Sequence, residues 1–328
     1  MELAGIGSPA LWIGFVVFVL LMIALDLGVF HRKTHEVKFK EALGWSLVWI
    51  ALALAFNGLV WWQFGSRPAV EFLTGYLIEK SLSVDNIFVF VVIFASLGIP
   101  ALHQHRVLFW GILSALILRA VMIFAGAAML ERFHWLIYVF GAFLIFTGVK
   151  LLRDRGAASD FTQSWSMKLV RRVIPSSDRL HEGNFFVRVG TRWLATPLFI
   201  ALALVEVTDV VFALDSIPAI FAVTRDPFLV FTSNIFAILG LRSLFFLLSG
   251  MVDKFSRLKI GLASVLVFVG AKMAAVDLVK IPAAVSLGVI ALLLGGSVVV
   301  SIIEARRRDK SEGAACDPRI TLRERQGA

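Results

Sequence analysis

The chain has 328 residues, of which 59% are hydrophobic and only 17% charged, and its formal net charge is +9. A mean hydropathy of +0.86 is too apolar for a water-soluble domain of this length. Its single cysteine, Cys316, excludes an internal disulfide framework.

Apolar runs near the roughly 20 residues that cross a bilayer recur in chain order at 10–30, 42–63, 71–98, 107–129, 134–152, 194–223, 228–250, 259–279 and 282–303. Barrel strands would be about half as long and alternate in polarity. The pattern therefore predicts an all-α polytopic membrane protein: one transmembrane domain of about nine helices, with a cytoplasmic loop over 153–193 and a cytoplasmic tail over 304–328. The first span does not read as a cleavable signal, because no Lys or Arg precedes it and basic residues follow it. Threading nine spans with the N-terminus outside leaves 23 of the 32 Lys and Arg in cytoplasmic segments. Only Arg67, Arg132, Arg225 and Lys280 then lie outside. That bias sets the orientation, N-terminus out and C-terminus in. The positive charge becomes a fringe facing anionic lipid and needs no nucleic-acid partner.

Three features recur in order along the chain. Span three carries Asp85 and Phe88, and span six carries Asp209 and Phe212; span four carries Arg119 and span seven Arg242. Span five carries Phe146-Thr147-Gly148-Val149-Lys150, and span eight Phe268-Val269-Gly270-Ala271-Lys272. The offsets are 124, 123 and 122, nearly constant across three helices. Chance similarity among apolar helices is the plain alternative, but three ionisable positions in one order favour duplication. A repeated three-span unit inserts upside down the second time. The expectation is an inverted repeat of spans 3–5 and 6–8, with a binding site near the midplane.

The acids at membrane depth carry the functional argument. Glu79, Asp85, Arg119, Glu206, Asp209, Asp215 and Arg242 would together cost roughly 20 kcal/mol if unpaired. Either mutual pairing or a bound cation compensates. Glu79, Ser83 and Asn86 share one helix face, and Glu206 and Asp209 share another. Asp215 lies beside Pro218, which frees the carbonyl of Leu214 and is expected to bend or unwind the helix there. Lys80 is expected to snorkel outward. The candidate metal ligands are thus Glu79, Asp85, Asn86, Glu206, Asp209 and Asp215, with Arg119, Arg242, Lys150 and Lys272 as intramembrane charge partners. The competing reading is that these acids only neutralise those bases.

All six histidines (31, 35, 103, 105, 134 and 181) fall in loops or at span ends. His31 and His35 read as interfacial contacts. A midplane site would offer oxygen, which suits hard cations such as manganese(II), calcium or magnesium over copper(I) or zinc. No phosphate loop, H-E-x-x-H pair or G-x-S-x-G elbow appears, so an enzyme and an organic cofactor are not expected.

Three strings add a resemblance: DLGVFHRKTHEVKFKEAL (26–43), EKSLSVDNIFVF (79–90) and ALDSIPAIFAVTRDPFLVFTSNIFAILGLRS (213–243). In these the chain resembles TerC-family membrane proteins, a family named for an association with tellurium resistance, and most of all its Alx-like branch. The resemblance implies manganese efflux across a bacterial inner (plasma) membrane and, in some members, metal supply to secreted metalloenzymes. It also implies that activity depends on Glu79, Asp85, Glu206, Asp209 and Asp215. The expected function is a secondary transporter exporting manganese(II), with proton coupling plausible. The alternatives are an exporter of cationic amino acids, or a metal-delivery partner at the secretion machinery.

Overall fold

A computed structural model describes residues 5–30, 39–133, 135–153, 174–175, 183–189, 192–249, 258–279 and 281–315. The helices are α1 (Pro9–Phe30), α2 (Phe39–Phe64), α3 (Ser66–Ser96), α4 (Ala101–Arg132), α5 (Leu136–Arg153), α6 (Pro197–Phe221), α7 (Pro227–Leu239), α8 (Leu241–Leu248), α9 (Leu258–Ala274) and α10 (Ala283–Ala315). His31, His35, His134, His181, Cys316 and most of the 153–193 loop lie outside the described residues.

The packing is that of a membrane-embedded protein. Arg119, Glu79, Asp209 and Asn234 are buried, while Ile13, Leu20, Ile117 and Leu292 are exposed. An apolar outer face suits hydrocarbon, and the polar groups turn inward.

By length and apolarity, five described helices can cross a membrane: α2, α4, α5, α6 and α10 over Ala283–Ser301. The α7–α8 pair makes a sixth if it counts as one span. Described parts of α1 (Pro9–Leu25) and α9 (Ile260–Ala274) are apolar but shorter. Each expected span coincides with a helix or the α7–α8 pair, but these criteria do not reach nine.

Several boundaries depart from expectation for identifiable reasons. Span seven is not one helix: it bends by 41° between α7 and α8 at Gly240. Lys80, half-buried on α3, does not snorkel away. Its Nζ donates to the carbonyl of Ala237 at 3.5 Å, near the open C-terminal end of α7. A Cβ at Gly240 would lie 2.7 Å from that Nζ and 3.2 Å from Cβ of Trp49, so a larger residue there would make the ammonium shift. The interruption expected beside Asp215 is absent, and α6 stays one helix through Pro218. Pro218 sits in the last turn, so the carbonyl of Leu214 loses its intrahelical donor only where the helix is about to end.

The expected loop also contains structure. Strands β1 (Phe186–Val189) and β2 (Arg192–Ala195) form an antiparallel hairpin pairing Phe186 with Ala195 and Arg188 with Trp193. Span six, expected from residue 194, begins only at Pro197. The residue before a proline favours extended backbone, and Thr196 has φ −89° and ψ 168°. Arg106 of α4 anchors the hairpin, donating to the carbonyl of Gly183 at 2.7 Å and lying over the Phe185 ring.

Local chemistry sets other helix ends. α3 stops in a paired-bond cap: Gly98 (φ +61°) donates to Ala95 and Ile99 donates to Phe94, with Pro100 following. α7 starts at Asp226, whose Oδ1 accepts from the amides of Phe228 and Leu229 ahead of Pro227 at the first position.

Small residues let α5 and α9 approach closely. A Cβ at Gly141 would lie 2.9 Å from the carbonyl oxygen of Gly270, and one at Gly148 would lie 2.8 Å from that of Ala263. These two contacts run the helices antiparallel. Elsewhere α3 packs on α7 and α4 on α6.

Candidate functional site

Arg119 on α4 is the centre of the buried polar core, with 1% of its surface exposed. A guanidinium at this depth requires partners. Nη2 and Nε donate to the two oxygens of Asp209 on α6, at 3.0 and 3.3 Å, in a forked pair. Nη1 donates to Oε1 of Glu79 on α3, and to Ser216 Oγ at 3.3 Å and Asn234 Oδ1 at 3.4 Å. Asn234 sits on α7, so four helices meet at one side chain.

Beyond Arg119 lies a cavity of about 100 Å³. Its polar lining is Glu79, Asn86, Arg119, Thr147, Asp215 and Ser216, and Leu82, Leu151, Phe212, Leu262 and Leu266 close it. Glu79 Oε2 and Asn86 Oδ1 are buried acceptors with no hydrogen-bond partner among the described residues. Asp215 is half-buried, and its Oδ1 accepts from Thr147 at 3.2 Å. Buried acceptors normally find a donor, water or ion. The arrangement can therefore accept a small cation.

The expected ligands separate into groups. Glu79, Asn86 and Asp215 share this cavity, whereas Asp209 faces Arg119. Glu206 is half-buried and accepts from the hydroxyl of Ser114 on α4. The side chain of Asp85, on α3, lies outside the described residues. Among the described residues, no group of three His, Cys, Asp or Glu side chains is close enough to hold a metal by itself.

The expected charge partners also divide. Arg119 joins the core. Arg242 is buried beside Trp49, Ile112 and Leu239 in a separate small space. Lys150 is exposed at the end of α5. Lys272 donates to Ser286 Oγ at 2.9 Å and borders a wide depression of about 720 Å³ with Glu71, Asp226 and Asp277.

Sequence reasoning missed Thr147, Ser216 and Ser114 as partners. Hydroxyls in apolar helices usually bond back to their own backbone, as Ser81 and Thr74 do here. The available clues were the place of Thr147 within the repeated Phe-x-Gly-x-Lys pattern and of Ser216 directly after Asp215.

Fold and core together define a helical integral membrane protein organised around a buried carboxylate–guanidinium cluster. The chain belongs to the integral membrane protein TerC family, whose model matches residues 64–309. It is 66% identical over 310 residues to an uncharacterized membrane protein of Myxococcus xanthus, STKORF319, covering 94% of this chain and 97% of that protein. It is 47% identical over 317 residues to an Escherichia coli K12 protein named as a candidate membrane-bound redox modulator, Alx, covering 94% and 99%. A membrane protein of Rickettsia bellii is 41% identical over 299 residues, covering 91% and 99%. No solved structure matches the chain.

Proposed function

We propose that this protein exports a divalent cation, manganese(II), from the cytoplasm through the cavity formed by Glu79, Asn86 and Asp215. The observation that carries the reading is the pair of unpartnered buried acceptors, Glu79 Oε2 and Asn86 Oδ1, on one small cavity. Charge agrees with a divalent ion. Glu79, Asp209 and Asp215 set three carboxylates against the guanidinium of Arg119, a net of two negative charges among these four groups when all are ionised, with Lys150 acting on Asp215 from outside the cavity lining. The all-oxygen donor set favours a hard cation. A cavity of about 100 Å³ holds an ion with a few waters of about 30 Å³ each. Among the hard cations, manganese(II) is the one that the resemblance to TerC-family proteins implies.

The core geometry also supports a duplicated, inverted architecture. The offset of 122 carries Gly141 onto Ala263 and Gly148 onto Gly270. The two close contacts between α5 and α9, Gly141–Gly270 and Gly148–Ala263, therefore exchange with each other. Likewise the α3–α7 contact exchanges with α4–α6. A nine-span path, N-terminus out and C-terminus in, across the bacterial inner membrane follows from this reading. Reporter fusions at Ala157 and in the C-terminal tail will report cytoplasmic, and one at Asp226 external. An external signal at Ala157 would overturn both the span count and the inversion.

The relatives named as candidate redox modulators suggest a second reading. With Cys316 as its only cysteine, the chain cannot form an internal disulfide, so a thiol role would need a second molecule. Export of a redox-active metal accommodates that name without thiol chemistry.

The decisive experiment is flux into proteoliposomes of purified protein, with manganese(II), magnesium, calcium and radiolabelled arginine in parallel. Manganese(II) will move several-fold faster than through empty vesicles, and arginine will not. Arginine flux without manganese flux would replace the reading. No flux at all, with altered metallation of secreted enzymes in cells lacking the protein, would favour metal delivery.

A further inference from the structure

Arg119 sits where a transported cation would compete with it. Its Nη1 has only two hydrogens, yet three acceptors surround it: Glu79 Oε1, Ser216 Oγ and Asn234 Oδ1. Nη2 and Nε are both committed to Asp209. If Glu79 turns away, Ser216 and Asn234 can take both Nη1 hydrogens while the fork on Asp209 stays closed. Both Nη1 hydrogens then stay bonded, and only the charge-assisted contact with Glu79 is given up. Glu79 faces both ways, with Oε1 on Arg119 and Oε2 unpartnered beside the cavity.

We infer that Arg119 is a tethered displacing cation: it exchanges with the transported ion for Glu79, and its return to Glu79 drives the ion out of the cavity. This rests on the proposed transport reading. Asp209 is the arm that keeps Arg119 close without holding the metal. Ser216 and Asn234 are its resting acceptors while the ion is bound. A site with several carboxylates would otherwise hold a divalent ion tightly and release it slowly. A fixed internal cation limits that affinity, because the ion must outcompete a charge that cannot diffuse away. Arg119 therefore lowers affinity and raises turnover.

The test uses the full chain in nanodiscs, with manganese(II) alone as the probe, followed by calorimetric titration and by the metal-induced shift in unfolding temperature. Arg119→Gln is expected to bind manganese(II) about tenfold more tightly than wild type and to show the larger metal-induced shift. In proteoliposomes it will keep manganese self-exchange but lose net efflux into metal-free medium by about tenfold. Asn234→Ala changes no charge and does not line the cavity. By removing a resting acceptor it ties Arg119 to Glu79, so its affinity will fall several-fold. Should Arg119→Gln fail to fold, Asn234→Ala decides alone. Wild-type binding with Arg119→Gln no tighter, or with Asn234→Ala unchanged, overturns the inference and leaves the transport reading standing. No binding by wild type removes both.

Discussion

Replacing Glu79 with Gln will lower manganese(II) affinity by about tenfold to a hundredfold, or roughly 1.4–2.8 kcal/mol, and will stop measurable efflux. Glu79 is the acid with one oxygen on Arg119 and the other unpartnered beside the cavity. The amide preserves shape but removes the negative oxygen a hard cation requires. Asp215→Asn will act in the same direction, because that carboxylate also lines the cavity, where it accepts from Thr147. Glu206→Gln is the internal control. Glu206 bonds to Ser114 and does not line the cavity, so its loss will lower affinity no more than about twofold. Calorimetric titration of the three variants checks the ranking. Equal losses in all three would mean that the whole acidic set acts as a diffuse field and that the cavity is not the site.

The sequence already displayed the parts of this core. Insertion cost marks Glu79, Arg119, Asp209 and Asp215 as residues needing compensation, and helical spacing groups Glu79 with Asn86. It could not say which acid faces the arginine. Glu206 and Asp209 share a face of α6, yet one meets Ser114 and the other Arg119, because both partners lie along α4 at matching heights. That distinction depends on how α4 and α6 align, which is set by packing between helices and not by either helix alone.

Two other features were hidden for different reasons. The break at Gly240 sits against Lys80 and Trp49, which are distant in sequence. Lys80 itself looked like a snorkelling residue because nothing local shows the free carbonyls of a neighbouring helix end. The β1–β2 hairpin has strands of only four residues, Phe186–Val189 and Arg192–Ala195, inside a charged stretch that reads as loop. Pro197, which ends that extended run and starts α6, was the legible clue.

The charge balance of the core makes its sharpest claim about Asp209. With Glu79, Asp209, Asp215 and Arg119 all ionised, the wild type offers a net two negative charges to the ion. Asp209→Asn leaves one, and also frees Arg119 to settle wholly on Glu79, so affinity will drop by about tenfold or more, near 1.4 kcal/mol. Removing one partner of a buried pair often destabilises by about 3–5 kcal/mol in soluble cores. Here Glu79 remains to accept Arg119, so Asp209→Asn protein will still reach the membrane in near-normal amount. The double variant Asp209→Asn with Arg119→Gln restores two net negative charges, and manganese(II) affinity will return to within about threefold of wild type. Efflux will not return with it, because the displacing guanidinium is gone. Paired titrations and flux assays on the single and double variants separate the outcomes. If affinity stays lost in the double variant, Asp209 touches the metal directly; if efflux recovers as well, Arg119 serves only to balance charge.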